Sequence, residues 1–384
     1  MKFNKNPYAL PKNYVFNEIR EKAAELKKTS GIKLIDLGVG DVTEPLFSFT
    51  AEAMKKACDE MGVKQTFRGY PPSQGYDFLR EKIAAYYGGE ISPDEVFITD
   101  GAKGELGNIC ELFGRGKKVL FPTPCYPAGL EANLLCGNEV ETLKTFAEDG
   151  FLPFPPYGKT YDLIYLCSPQ NPTGALMGKE LLSLWIGYAL NIGAVIIFDS
   201  AYSEFIPGGE MKNIYGVSGA KNCVVEINSY SKSFGFTGIR CGYTIIPHAA
   251  GRLNELKKRQ SGCRFNGVSY ITQRGAETFY TPEGAREIKN RINFYKTNAD
   301  ILKIALKNAN LWYNISRASP YAFVKAPDGF SGDEFCEYLL DKLGLAVTPG
   351  SGFSDGGEDF VRFSAFCSRE DALKAADILS GAVF

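Results

Sequence analysis

Residues 162–199, DLIYLCSPQNPTGALMGKELLSLWIGYALNIGAVIIFD, decide the fold. The stretch opens on a short apolar run, Asp162–Cys167, and closes on another, Ala194–Phe198. Between them lie a loop with two prolines and a helical stretch, Lys179–Asn191. Strands that are apolar almost throughout must be covered on both faces, and strands linked through helices pair in parallel. The same texture continues outward. Apolar runs recur at Val96–Thr99, Lys118–Phe121, Val224–Ile227 and Gly242–Ile246, most of them bounded by Gly, Pro, Ser or Asp, with helical stretches at Glu105–Phe113 and Ala128–Leu135. This pattern predicts an α/β fold, with a large domain built on a mainly parallel sheet flanked by helices.

After about residue 276 the texture changes to α+β. A long helix over Pro282–Asn308 is followed by a strand at Tyr321–Lys325, a helix at Gly332–Leu343, the short Leu345–Thr348, a strand at Phe360–Ser364 and a last helix from Arg369. Upstream, helices are predicted at Asn17–Lys28, Ser48–Met61 and Tyr76–Tyr87, with a strand at Lys33–Leu37. Chain termini often meet on one domain. The expected division is therefore a large domain over 41–280 and a smaller α+β domain from 1–40 and 281–384.

The composition removes several classes of function. Of 384 residues, 45% are apolar and 23% charged, which supports large cores and excludes a disordered chain. The formal charge of −1 gives no basic face for nucleic acid. The run Lys257-Lys258-Arg259 is short and reads as a solvated helix face beside Leu253 and Leu256. The single histidine, His248, sits in a loop-like setting, so a two-His zinc site cannot be built within one chain and no metal is expected. Ten scattered cysteines without a Cys-x-x-Cys pair read as reduced thiols of a cytoplasmic protein. The first ten residues lack the apolar core of a signal peptide, and no run is long enough to span a membrane.

In open parallel sheets, ligands bind beyond the carboxyl ends of the strands. Asp100-Gly101-Ala102-Lys103-Gly104 follows the run at Val96–Thr99, a glycine turn that suits an anion or is simply a tight turn. Asn171 lies in a Pro-fixed loop after Cys167, where it either donates to a planar ligand or rigidifies the loop. Asp199 ends a buried run and needs a cationic partner or loop N–H groups, with Tyr202 three residues on. Ser229, Ser231, Lys232 and Arg240 follow Ile227: two hydroxyls and a guanidinium suited to phosphate, around a lysine that burial turns into a nucleophile. A lysine in a Ser/Gly loop ordinarily reaches for solvent, and only its company argues otherwise. Together these seven residues match the requirements of pyridoxal 5′-phosphate.

Over its whole length the chain resembles fold-type I pyridoxal-phosphate aminotransferases, and more narrowly LL-diaminopimelate aminotransferases. The resemblance is carried by KNYVF (12–16), GVGD (38–41), RGY (68–70), TDGAK (99–103), CSPQNPTG (167–174), EINSYSK (226–232), GFTGIRCG (235–242), FNG (265–267) and VRFSAF (361–366). It implies a cytoplasmic homodimer that takes amino-acid and 2-oxo-acid substrates, binds neither nucleic acid nor membrane, and serves lysine biosynthesis. Lys232 would take the cofactor aldehyde and shuttle the proton, and Asp199 would pair with the ring nitrogen. Asn171 and Tyr202 would bond the ring oxygen, and Tyr126 would stack on the ring. Ala102, Lys103, Ser229, Ser231 and Arg240 would hold the phosphate. Arg362 would clamp the substrate carboxylate, Gly40 and Tyr14 would line its pocket together with Lys103, Asn171 and Ser73, and Tyr70 and Asn266 would come from the neighbouring subunit to bind the cofactor. Two positions depart from the family pattern. In PPSQG (71–75), Ser73 replaces an acid that suits a distal ammonium of the substrate, and Gln170 stands where Asn is usual. A β-lyase or other enzyme using the same cofactor remains an alternative, as does a sensing module that keeps the fold without turnover.

Overall fold

The structure is a computed structural model that describes residues 4–10, 21–22 and 34–384. Tyr14, and the predicted helix Asn17–Lys28 apart from residues 21–22, lie outside the described residues. The short strand β1 (Ile35–Asp36) is followed by the strands of the main sheet: β2 (Val96–Thr99), β3 (Lys118–Thr123), β4 (Glu139–Lys144), β5 (Leu163–Cys167), β6 (Val195–Asp199), β7 (Val224–Ser229) and β8 (Gly242–Ile245). They lie in the order β2-β8-β7-β6-β5-β3-β4. Only β8 runs against its neighbours. The sheet is therefore mainly parallel, as the apolar runs predicted.

Strand β4 is absent from the sequence reading because EVETLK is not an apolar run. It is an edge strand, paired only with β3, and charges at an edge discourage pairing with other chains. The predicted helix over Glu105–Phe113 begins and ends earlier, at Ala102–Asn108, and continues as a 3-10 turn over Ile109–Leu112. In the helix Lys179–Ile192, Leu181, Leu182, Trp185, Ile186, Tyr188 and Ala189 are buried, and the Trp185 indole N–H donates to Pro153 O at 3.0 Å. Burying a side chain of that size is worth about 3 kcal/mol, and its one polar atom is satisfied.

The second core gathers around a smaller antiparallel sheet. Strand β9 (Tyr321–Lys325) is followed by β10 (Leu345–Ala346), β11 (Thr348–Pro349) and β12 (Phe360–Ser364); β11, β12 and β9 form this sheet, while β10 pairs in parallel with β1. The helix Pro282–Asn308, about 40 Å long at 1.5 Å per residue, ties the two cores together. Its first half buries Ile288, Ile292 and Tyr295 in the core of the large sheet, and its second half buries Ala299, Leu302 and Leu306 in the other. Thr281 caps the start by accepting from Gly284 N–H, with Pro282 in the first turn. Among the described residues no helix is long and apolar enough to cross a membrane.

One expectation about the surface fails. Lys257 does not lie on a solvated helix face: it is buried and forms an ion pair with Glu105, with Gln260 Oε1 3.1 Å away. The charge run hid a residue that turns inward, because a buried carboxylate on the neighbouring helix compensates it. His248 is at the surface, 2.6 Å from Asp94.

Candidate active site

Register brings the loops together. In the β5–β6 pair, Cys167 stands opposite Asp199, and in β6–β7 Asp199 stands opposite Ile227. Three parallel strands thus end side by side, and the loops that leave them enter the same space. A cavity of about 600 Å³ there is lined by Gly40, Asp41, Ala102, Lys103, Tyr126, Asn171, Asp199, Tyr202, Ser229, Ser231, Lys232, Arg240, Tyr321 and Arg362. A larger groove, about 810 Å³, lies along the first half of the helix Pro282–Asn308. Its one carboxylate, Glu204, is already engaged by Lys212 and Tyr86, so the convergent chemistry belongs to the smaller cavity.

Lys232 sits in the short helix Ser231–Phe234 directly after β7 and donates to Gly40 O. The side chain keeps some surface where the cavity opens, but its amine is enclosed by protein. Burial pushes that amine down to about 8; Asp41 and Asp199 oppose the shift, while Arg362 and Arg240 add to it. Asp199 shows the complementary effect. Burial pushes its carboxyl up to about 6, against the Ala201 N–H, which donates to Oδ1 at 3.0 Å, and against Lys232.

Two hydroxyls and a guanidinium form one chain. Ser229 Oγ is 3.0 Å from Ser231 Oγ, and Arg240 Nη1 is 3.3 Å from the same oxygen. Arg240 adopts the left-handed conformation, φ 67°, which is uncommon for a residue with a side chain and is characteristic of functional loops. Its guanidinium lies over Gly101, where an added Cβ would come within 2.4 Å of Nη2. Gly101, itself at φ 116°, is required by its backbone conformation.

Arg362 is almost fully enclosed, 1% exposed. Its Nη1 donates to Asn171 Oδ1 at 2.7 Å and its Nη2 to Gly38 O at 2.7 Å. With its carbonyl turned to Arg362, Asn171 has its amide N–H₂ available to the cavity. Tyr202 is buried and lies 2.8 Å, oxygen to oxygen, from Tyr321. Tyr321 escaped the sequence reading because it opens an apolar strand rather than a polar loop. No local pattern marked it, since its place two residues from the register partner of Arg362 is known only from the sheet. Gln170 serves the scaffold: its amide donates to Pro124 O at 2.9 Å.

Three expected site residues stay outside the cavity of this single chain. Tyr70 is 87% exposed, Asn266 is exposed and Ser73 is half-buried. They nevertheless share one surface, because Gly267 lies against Pro71 and Pro72.

Comparison with known proteins gives the family. Residues 32–379 match the family described as aminotransferase class I and II. The LL-diaminopimelate aminotransferase of Bacteroides fragilis is 40% identical, covering 97% of each chain. That of Prochlorococcus marinus is 41% identical, covering 98% of each. Among solved structures, the L,L-diaminopimelate aminotransferase of Chlamydomonas reinhardtii superposes with a TM-score of 0.94 at 33% identity, over 100% of this chain and 99% of that one. The fold is thus that of the fold-type I transferases, and the chain belongs to the class I and II aminotransferase family.

Proposed function

We propose that this aminotransferase moves the amino group of an L-amino acid related to LL-diaminopimelate onto a 2-oxo acid such as 2-oxoglutarate, using pyridoxal 5′-phosphate held at the ends of β5, β6 and β7. The observation that carries the reading is the pairing, in one cavity, of a buried amine of lowered pKa with a buried carboxylate of raised pKa. An amine of that kind is the nucleophile an aldehyde requires, and such a carboxylate gains from a protonated ring nitrogen. The remaining donors fit the rest of the group. Ser229, Ser231 and Arg240, with the backbone N–H groups of Ala102 and Lys103, suit a phosphate. Asn171 and Tyr202 suit a ring oxygen, and Tyr126 offers a stacking face.

When bound, the cofactor supplies an aldehyde that takes the amino group and a ring that delocalises the electron pair left at the donor α-carbon. Lys232 Nζ holds and moves the proton of that carbon. Asp199 keeps the ring nitrogen protonated. Arg362, its plane fixed by Asn171 and Gly38, orients the substrate α-carboxylate through paired N–H groups. Over a full cycle the donor leaves as a 2-oxo acid and the acceptor as an amino acid, so no external oxidant is consumed.

The donor class follows the names of the relatives. Ser73, where the family pattern has an acid, weakens recognition of a distal ammonium and shifts preference toward other donors. Tyr70 and Asn266 act across a two-fold homodimer; the exposure of the large apolar side chains Tyr70 and Phe67, the latter 62%, three residues apart in the chain, supports this. We read residues 41–280 as the large domain and 1–40 with 281–384 as the small one. The ten scattered cysteines, without a Cys-x-x-Cys pair, support a reducing, cytoplasmic setting.

The test is a screen of the cofactor-loaded protein with LL-diaminopimelate, lysine, glutamate, aspartate and aromatic amino acids against 2-oxoglutarate. Formation of glutamate from a donor other than glutamate supports amino transfer. Ammonia and pyruvate from a cysteine-type substrate would point to β-elimination. A bound cofactor with no transfer to any oxo acid would point to sensing.

A further inference from the structure

Tyr321 touches four of the groups around the cavity. It pairs in register with Ser364, so it shares a face with Arg362 two positions along β12. Diagonal neighbours across a sheet lie within reach of long side chains. The Arg362 guanidinium accordingly lies over the Tyr321 ring, 4.3 Å from its centre. The far end of the phenol meets the large sheet. Its oxygen is 2.8 Å from that of Tyr202, and the two rings meet edge to face with centres 5.5 Å apart. Gly40 makes room for it, since an added Cβ would come within 2.6 Å of the Tyr321 oxygen. Phe366 closes another side, 5.9 Å between ring centres.

We propose that Tyr321 is a positioning residue: its phenol donates to Tyr202 Oη and so directs the Tyr202 O–H at the cofactor ring oxygen. The proposal rests on the pyridoxal-phosphate reading above. The direction of donation follows from charge. Arg362 favours negative charge on both phenols and lies on the Tyr321 ring, and Tyr321, the less raised of the two, is the better donor of the pair. Burial raises both phenols, Tyr202 further than Tyr321, so both keep their protons at neutral pH. A hydroxyl that accepts one hydrogen bond becomes a stronger donor in the next. The same ring supports Arg362, so one side chain holds the cofactor side and the carboxylate side in register.

The test reads the bound cofactor rather than turnover. A weaker donor leaves the ring oxygen more basic, so the pH midpoint of the visible absorption band of the cofactor-loaded protein should rise. Tyr321→Phe keeps the ring under Arg362 and deletes only the donor. We expect its midpoint to rise by roughly half a unit to one unit, and its dissociation constant for pyridoxal 5′-phosphate to increase roughly threefold to tenfold. KM for the amino donor should change less than about twofold, because the ring support of Arg362 remains. Tyr321→Leu removes the ring as well and should also raise KM. In a Tyr202→Phe background, Tyr321→Phe should leave the midpoint where Tyr202→Phe alone sets it. An unmoved midpoint and affinity in Tyr321→Phe, or additive shifts in the double variant, would overturn the role of Tyr321. A wild-type protein that develops no visible band with the cofactor would overturn the cofactor reading, and this proposal with it.

Discussion

At the ends of β5, β6 and β7, the side chains of Asn171, Asp199, Ser229 and Ser231 are buried and already hydrogen-bonded within one chain, whereas Tyr70 and Asn266 are exposed, Ser73 is half-buried, and none of the three lines that cavity. The first region is held by strand register, which admits one arrangement. The second is carried by loops that expose Tyr70 and Asn266 and leave Ser73 half-buried. The contrast separates two tasks. On the proposed reading, the first region carries most of the cofactor contacts within one chain, and Tyr70, Ser73 and Asn266 would act on a surface that a second copy completes.

The largest effect should come from the first region. Lys232→Ala should lower turnover by more than roughly 10³-fold, because nucleophile and proton carrier are lost together, while far-ultraviolet circular dichroism stays native. Turnover near the wild-type rate would remove Lys232 from the chemistry. Asp199→Asn should follow with a loss of roughly 10²-fold in kcat, since a neutral amide cannot hold a ring nitrogen protonated. An unchanged kcat would make Asp199 a loop anchor that merely accepts the Ala201 N–H.

The second region predicts a change of preference rather than loss. Ser73→Glu should raise kcat/KM for LL-diaminopimelate, relative to amino acids without a distal ammonium, by on the order of 30-fold. A wild type that already prefers LL-diaminopimelate strongly, with nothing gained in the variant, would break the link between that loop and specificity. The smallest effect concerns pH. With the Lys232 amine near 8 instead of its ordinary 10.5, the apoprotein should capture pyridoxal 5′-phosphate about tenfold faster at pH 9 than at pH 7, since the deprotonated fraction rises through that midpoint. A capture rate still climbing toward pH 10.5 would show that burial does not lower this amine.

Most of the architecture was legible from one period of the chain. Apolar runs such as Val96–Thr99 and Ala194–Phe198 announce buried strands because they are short, rich in Val, Ile and Phe, and bounded by turn residues, where a buried helix would run longer. Strand β4 was not legible, because EVETLK earns its place by pairing with β3 and not by its own composition. Lys257 was misread for the same reason. The burial of a charge depends on a partner, Glu105, that lies 152 residues away in the chain.

By itself the sequence determined the fold class, the seven polar residues that come after the apolar runs, and the kind of group they suit, because each of these depends on local pattern and on chemistry that a residue carries with it. Only the tertiary structure decided that Asn171 turns its carbonyl to Arg362. The same holds for Tyr321, which stands between Tyr202 and Arg362, and for Lys257, which faces inward. Those facts depend on which side chains meet across two cores, and no spacing along one chain encodes the angle at which two sheets present their faces to each other.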